Sequence, residues 1–398
     1  MRRSTTHREA QRKDKMPPFI PAIELVMCSR LGVWDGGRET WIAQFVPRLL
    51  DQNAERVLIY SIRDKVGPES ILFPPFTKII AVPPGNKRIP RAVSFVLNYR
   101  RARKRENCDA PIVVGVGGLV EALAIRISDL FGRSRRKRIL WLRTIYLREK
   151  SYRFGPLSSA IVKIIEKKVV RWFDIVIANG WDTADYYKRY RNDIHIIPNA
   201  VDFEFWRGGE RKESRGPLCI AYIGRLSKVK GIYDYVAAAK NFRAKYPEKD
   251  INFIAVGPAR LEDLQVLQES MCAAGITYLG SVPNKELPHL LQSVDVCVNL
   301  TYGNGALSGG GVSNALLEQM AAAKLQIVWD NQVYRQVLDT SMAHFVEEGN
   351  VNGLMQAFHD CYEQAYSERN AMGIAGQARA KEFGWSSHIA KFVALASI

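Results

Sequence analysis

The residues IAYIGRLSKVKG, 220–231, run from an apolar strand (Leu218 to Ile223) through a glycine into two cations and the start of a helix. Arg225 follows Gly224 directly, and Lys230 stands just before a helix that opens near Gly231. In open α/β sheets ligands sit outside the carboxyl ends of the strands, so both cations are placed to clamp a diphosphate. Charge-assisted hydrogen bonds of this kind contribute about 1.5–3 kcal/mol each. A solvated basic loop is the plain alternative.

Further along the same βα series comes SGGGVSNALLEQMAAA, 308–323. Glycines let backbone N–H groups approach an anion closely, and a helix N-terminus adds a positive dipole end. A phosphate or diphosphate is expected near Gly311, Val312, Ser313 and Asn314. Glu318, one to two turns into the helix, is spaced to accept hydrogen bonds from sugar hydroxyls. Together these features suit a nucleotide-sugar better than a bare nucleotide. The alternative is a glycine-rich loop that merely starts a core helix, and the basic strand end upstream makes it the weaker reading.

Strand and helix patterns alternate on both sides of these motifs. In the first half, strands are predicted at Ile23–Cys28, Arg56–Ser61, Lys78–Val82, Pro111–Val116, Arg138–Leu142 and Asp174–Ala178, with a helix at about 38–50 and others between most strands. In the second half they are predicted at Leu218–Ile223, Ile251–Val256, Ile276–Gly280, Val294–Asn299 and Leu325–Trp329, and the residues from about 367 on read as helices. This is an α/β chain of two doubly wound, mainly parallel domains. The expected division is a basic tail (1–18), an N-terminal Rossmann-like domain (19–207), a polar linker GGERKESRGP (208–217), a C-terminal Rossmann-like domain that carries the nucleotide-sugar motifs (218–380) and a C-terminal helix (381–398) that packs back on the first domain. GVGG at 115–118 is not GxGxxG and reads as a tight strand–helix turn. The loop from Ser29 to Gly37 follows the first strand, and Gly36 and Gly37 open the first helix, opposite the diphosphate clamp.

A chain of 398 residues is too long for one core, and its 47% hydrophobic content is that of an ordinary globular protein. The longest apolar run, Ile112 to Ile125, is cut by Glu121 and is too short to span a bilayer. The charged N-terminus lacks an apolar core and does not read as a secretory signal. Six cysteines and six histidines are scattered without metal-ligand spacing, so buried thiols and no metal are expected. The net charge of +17 lies wholly before residue 211, where 39 Lys and Arg face 22 Asp and Glu. RRARKR (100–105) and RSRRKR (133–138) concentrate it. In the helix pattern of 159–173, Lys163, Lys167 and Arg171 share one face while Ile161, Ile164, Ile165, Val169 and Trp172 pack elsewhere. Such asymmetry suits an anionic membrane surface or a nucleic acid.

Taken together these stretches resemble the family 4 glycosyltransferases, retaining enzymes of the GT-B fold. The resemblance runs from about residue 20 onward and is strongest over 194–330. IIPNAVD (196–202) resembles the family's interdomain PNGVD segment, and YIGRLSKVKG its GRL…KG element, whose Arg and Lys bind the donor diphosphate. AVGPA (255–259) looks like the GDGP turn and carries Gly257. YLGSVPNKELPHLLQSVDVCV (278–298) looks like the FLGxVPxxELPxLYxxADVFV block, in which Val282 falls near the base. GGVSNALLEQMAA resembles the second half of the E-x7-E signature, and GGRET (36–40) the N-terminal glycine loop. Two positions depart from the family. Gly310 stands where the signature has its first Glu, near the donor sugar, while Glu318 keeps the ribose position. Where many relatives have a histidine after the strand at 138–142, this chain has Arg143 or Thr144. Arg143 suits a phosphate or an acceptor anion, but it stays protonated and cannot act as a general base. Its structural alternative is a salt bridge to Glu149 or Glu39.

The resemblance implies a metal-independent transferase using a UDP- or GDP-sugar, with Arg225 and Lys230 as the catalytic cations. It implies a lipid-linked or polysaccharide acceptor in exopolysaccharide or lipopolysaccharide assembly. The protein is then expected in the cytoplasm, held electrostatically on the inner face of the membrane through its basic half. A glycosyltransferase-like scaffold that has lost catalysis and a basic nucleic-acid-binding protein are the alternatives. The latter lacks a recognised module.

Overall fold

The computed structural model describes residues 20–31, 37–52, 54–62, 73–83, 91–106, 110–130, 136–149, 155–207, 216–303 and 311–397. Gly36, Gly310, the tail 1–18 and most of the linker lie outside them. The first half runs β1 (Ile23–Arg30), α1 (Gly37–Gln52), β2 (Val57–Ile62), β3 (Thr77–Val82), α2 (Arg91–Glu106), β4 (Ile112–Gly117), α3 (Leu119–Leu130), β5 (Lys137–Leu142), α4 (Tyr146–Glu149), α5 (Pro156–Val170), β6 (Ile175–Ala178), α6 (Trp181–Lys188), β7 (Ile194–Ile196) and α7 (Phe203–Trp206). The second runs β8 (Leu218–Ile223), α8 (Ile232–Lys245), β9 (Ile251–Val256), α9 (Leu261–Ala273), β10 (Ile276–Tyr278), α10 (Leu287–Gln292), β11 (Val296–Asn299), α11 (Asn314–Ala321), β12 (Leu325–Trp329), α12 (Gln332–Arg335), β13 (Ala343–Val346), α13 (Val351–Glu363), α14 (Tyr366–Ala380) and α15 (Trp385–Ser397).

The strands form two sheets, ordered β3-β2-β1-β4-β5-β6-β7 and β10-β9-β8-β11-β12-β13, and every neighbouring pair is parallel. The sequence explains this: β2 (VLIYSI), β4 (IVVGVG) and β8 (LCIAYI) are buried at every residue. Continuous burial of this kind fits strands covered by helices on both faces, where alternation is lost. The chain reverses direction across each sheet beside its first strand, between β1 and β4 and between β8 and β11. These are the switch points at which helices leave to opposite faces and open a crevice.

Two edge strands escape the sequence reading. β7 is three residues long and mostly half-exposed, and β13 is four residues with two half-buried positions. Neither forms the apolar run that identifies the central strands. The amphipathic helix at 159–173 is corrected as well. It is α5, Val169 is buried, but Ile161, Ile164 and Ile165 face outward.

Part of the basic excess is internal. Arg103 of RRARKR lies 3.4 Å from Asp129 and 3.7 Å from Glu24, and Arg136 of RSRRKR pairs with Glu24 and, at 2.7 Å, with Asp129. Glu24 is fully buried in β1, and the Tyr99 hydroxyl also donates to it. Arg138 spans to Asp174 at 2.8 Å. These arginines neutralise buried or neighbouring carboxylates, so they add less to the surface field than their number suggests.

The C-terminal helix α15 sits on the first domain. Trp41 and Phe45 of α1, Trp141 of β5, and His388 and Phe392 of α15 form one aromatic cluster with ring centroids 4.4–6.2 Å apart. Trp41 Nε1 donates to His388 Nε2 at 3.1 Å. Burial, helped by the nearby Arg143 charge, holds His388 neutral by lowering its pKa to about 3.

Candidate active site between the two sheets

β8 ends at Gly224, and β9 ends beside it at Gly257. A Cβ on Gly257 would stand 2.0 Å from the Gly224 carbonyl oxygen, and the backbone there has φ of 135°. Only glycine fits, and the close approach shapes the floor of the crevice. Beyond it, the Tyr222 hydroxyl lies 3.1 Å from the Arg225 carbonyl and 2.9 Å from the Lys230 carbonyl, pinning both ends of the basic loop. The Arg225 side chain is exposed at the rim. Lys230 Nζ donates to Thr301 Oγ1 at 3.0 Å, just past β11. No carboxylate among the described residues pairs with Lys230. Loss of hydration, then the charge of Arg225, lowers its pKa to about 8. A lysine in this state gains from an anion.

α11 begins after Ser313, whose backbone is extended and whose side chain does not cap the helix. The Asn314 Oδ1 atom is buried without a partner among the described residues. Glu318, in the second turn, is half-buried, and desolvation raises its pKa to about 7. Val282 is half-buried against the second core on the segment after β10, two residues beyond Gly280, whose carbonyl accepts from Gly257 N at 2.8 Å. It therefore shares the rim with Gly257, but no described contact joins it to the basic loop.

The first domain supplies the opposite wall. Arg143, at the end of β5, is 8% exposed; its Nη2 donates to Asn199 Oδ1 at 2.6 Å, and its guanidinium lies 4.6 Å from the Trp41 ring centre. Its Nε and Nη1 have no partner among the described residues, so Asn199 replaces the salt bridge offered as its structural alternative. Burial, reinforced by Arg38, lowers the Arg143 pKa to about 9. Gly37 opens α1 beside Arg38. At the β1/β4 crevice, Glu121 accepts from Cys28 N at 3.0 Å and Gly118 N at 2.9 Å, which fastens the tight GVGG turn.

Three residues to which the sequence assigned no site role join the walls, one of them, Asn199, inside the IIPNAVD stretch. Asp182, in the first turn of α6, accepts from the Gly311 amide at 2.9 and 3.2 Å. Asn199 Nδ2 donates to the Val312 carbonyl at 2.6 Å. Asn179 Nδ2 donates to the Arg143 carbonyl at 3.1 Å, and a Cβ on Gly311 (φ 84°) would stand 2.2 Å from that same nitrogen. The glycine loop therefore touches the first domain, and the Gly311 amide expected to meet a phosphate holds a carboxylate instead. The rest of the wall is fixed by Glu348, which accepts from Gly303 N and Asn331 Nδ2, both at 2.8 Å.

The arrangement brings together Arg225, Lys230 and the α11 terminus on one side of the cleft, and Arg143 on the other. Beside these three cations Glu318 is half-buried on the α11 side, while the carboxylates of Asp182 and Glu348 are engaged by backbone and side-chain donors of the walls. Among the described residues no group of three or more His, Cys, Asp or Glu is placed to hold a metal ion.

Residues 35–205 match the model of Glycosyltransferase Family 4, and residues 217–364 that of the group 1 glycosyl transferases. Among curated proteins, the chain is 25% identical to glycogen synthase of Mycobacterium tuberculosis over 162 residues, 39% of each chain. It is 27% identical to the GPI3 subunit of phosphatidylinositol N-acetylglucosaminyltransferase of Saccharomyces cerevisiae over 233 residues, 54% of this chain and 49% of that one. The matched part thus spans about two fifths to a half of these relatives. Among solved structures, sucrose-phosphate synthase of Thermosynechococcus elongatus superposes with a TM-score of 0.74 at 16% identity, covering 94% of this chain and 98% of that one. Anabaena Alr3699/HepE, in complex with UDP-glucose, gives 0.68 at 15% identity, covering 95% and 100%.

Proposed function

Because the chain belongs to the glycosyltransferases of the GT-B fold, with a Family 4 domain ahead of a group 1 domain, we propose that it transfers a sugar from a UDP- or GDP-sugar to a lipid-linked saccharide, with retention of configuration. The observation that carries the reading is the pair Arg225 and Lys230 at the end of β8, with Lys230 poorly hydrated and lacking a carboxylate among the described residues. Breaking the bond between sugar and diphosphate leaves negative charge on the leaving group. Two fixed cations in a partly dry cleft stabilise that charge more in the transition state than in the bound donor. No metal is needed in this scheme. Val312, Ser313 and Asn314 line the phosphates, and a phosphate must compete with Asp182 for the Gly311 amide. Glu318 holds the ribose. Arg143 is the cation assigned to the acceptor side, where a phosphate would suit its Nε and Nη1, which lack a hydrogen-bond partner among the described residues. The acceptor side is the basic half, which fits surface-polysaccharide or lipopolysaccharide assembly at the inner face of a membrane.

Arg225→Ala and Lys230→Ala should each remove most transfer while leaving the thermal transition in place. A thermal-shift screen of UDP-, GDP- and ADP-sugars selects the donor for the assay, which is run with and without EDTA. Near-normal turnover in both variants disproves the diphosphate assignment, and no turnover by wild type with any donor that shifts it favours a scaffold without catalysis.

A further inference from the structure

Among the described residues, the outward face of α5 makes no contact with the cleft residues named above. Leu157, Ile161 and Ile164 are 76%, 51% and 57% exposed. Their spacing, four and then three residues, aligns them in one stripe along the helix. Lys168 continues that stripe, Lys163 and Lys167 flank it, and all three are exposed. The one acid of the helix, Glu166, turns the other way: it is buried and accepts from the Tyr187 hydroxyl at 2.7 Å and the Tyr186 hydroxyl at 3.4 Å. The exposed surface of α5 is therefore apolar and cationic, with its carboxylate withdrawn inside.

α2 repeats the pattern. α2, α3 and α5 cover the same face of the first sheet, packing on Val26, Leu58, Val113, Leu140 and Val176. On α2, Val93 and Leu97 are 49% and 51% exposed, and Arg101, Lys104 and Arg105 are exposed further along. α2 and α5 each lead into the amino end of a parallel strand, β4 and β6. Their apolar first turns thus lie toward the cleft and their basic turns away from it. An apolar stripe edged by lysines, on a helix held flat against a domain, has the chemistry of an interfacial helix on anionic lipid. Apolar side chains enter the headgroup region while the cations meet lipid phosphates.

We infer that the face formed by Leu157, Ile161 and Ile164 of α5, with Val93 and Leu97 of α2, seats in the surface of an anionic phospholipid bilayer. This deepens the proposed function by naming the surface from which a lipid-linked acceptor reaches the cleft, and it replaces a purely electrostatic contact with one that has an apolar share. Attraction between charges alone is screened by salt, whereas buried apolar area is not.

The test is cosedimentation with vesicles of phosphatidylcholine and phosphatidylglycerol, at low and high salt. Wild type should bind and keep part of its binding at high salt. The double variant Ile161→Asp/Ile164→Asp should lose at least about tenfold in partitioning and keep none at high salt. Lys163→Glu/Lys167→Glu/Lys168→Glu should lose the salt-sensitive part. All the positions are exposed, so melting temperature and the thermal shift with UDP or GDP should match wild type. The inference is overturned if wild type ignores the vesicles, if the isoleucine variant binds them equally well, or if high salt strips wild type completely. It is also overturned if sedimentation velocity shows that the isoleucines hold a second copy of the chain in place of vesicles. Vesicle binding without any shift by UDP or GDP would leave this inference standing and remove the donor-site reading.

Discussion

Lys230 and Glu318 follow neighbouring strands, β8 and β11, and desolvation acts on them in opposite directions. It lowers Lys230 to about 8 and raises Glu318 to about 7. A diphosphate beside Lys230 favours the ammonium, so donor binding takes up a proton and weakens as pH climbs past about 8. Ribose hydroxyls donating to Glu318 favour the carboxylate, so binding releases a proton and weakens as pH falls below about 7. Nucleotide affinity, read by calorimetry from mildly acid to mildly alkaline pH, should therefore peak between the two limbs. Glu318→Gln should flatten the acid limb and cost about 1.5–3 kcal/mol above it. Lys230→Arg should flatten the alkaline limb. A wild-type affinity indifferent to pH rules out both assignments. The positions of these two residues were legible in the sequence because each sits at a fixed offset from a strand end or a glycine loop. Asp182 was not, since it acts on a backbone amide more than a hundred residues away and no local pattern marks it; Asn199 falls inside the IIPNAVD stretch, but its partner, the Val312 carbonyl 113 residues away, could not be read from it.

Among the elements, the central strands were readable because a parallel strand buried on both faces is a plain apolar run, whereas β7 and β13, at sheet edges, have no such run. The helix at 159–173 shows a different limit: periodicity reveals two faces but not which one the domain covers. Glu166, turned in toward three tyrosines, and the buried Val169 and Val170 fix the rotation of α5. α15 is the element whose placement has the largest consequence. It reaches from the end of the second domain to close the aromatic cluster over β5, under Arg143. Phe392 is fully buried and stacks on Trp141 at 5.2 Å. Phe392→Ala should cost about 3–5 kcal/mol, the usual range for a buried aromatic cut back to alanine. Chemical denaturation should show the loss, with the first domain melting earlier than the second. An unchanged transition would mean that α15 is only loosely docked.

At the scale of the whole molecule, Trp181 of α6 packs against the second core, and polar contacts join the halves beside it: Asp182 on the Gly311 amide, Asn199 on the Val312 carbonyl, and Gln332 of α12 on Asp185 of α6. The GT-B architecture was legible from the order of motifs along the chain. The return of the C-terminal helix to the first domain was expected too, but the polar contacts across the cleft were not, because they depend on side chains that meet only after both domains fold. Asp182 couples that contact to the donor site, since it holds the first amide of the loop proposed to bind phosphate. A carboxylate and a diphosphate repel one another and compete for the same N–H group. Asp182→Ala should therefore free the amide and remove a negative charge, raising UDP or GDP affinity by about tenfold, one charged hydrogen bond's worth. Asp182→Asn keeps an acceptor without the charge and should fall between. Uridine and guanosine, which carry no phosphate, serve as controls and should bind the variants as they bind wild type. Small-angle scattering of the nucleotide-free Asp182→Ala protein should show a larger radius of gyration, because one of the ties across the cleft is gone. If instead the alanine variant binds UDP and GDP more weakly than wild type, with the nucleosides unaffected, the carboxylate supports the loop that holds the diphosphate and does not compete with it.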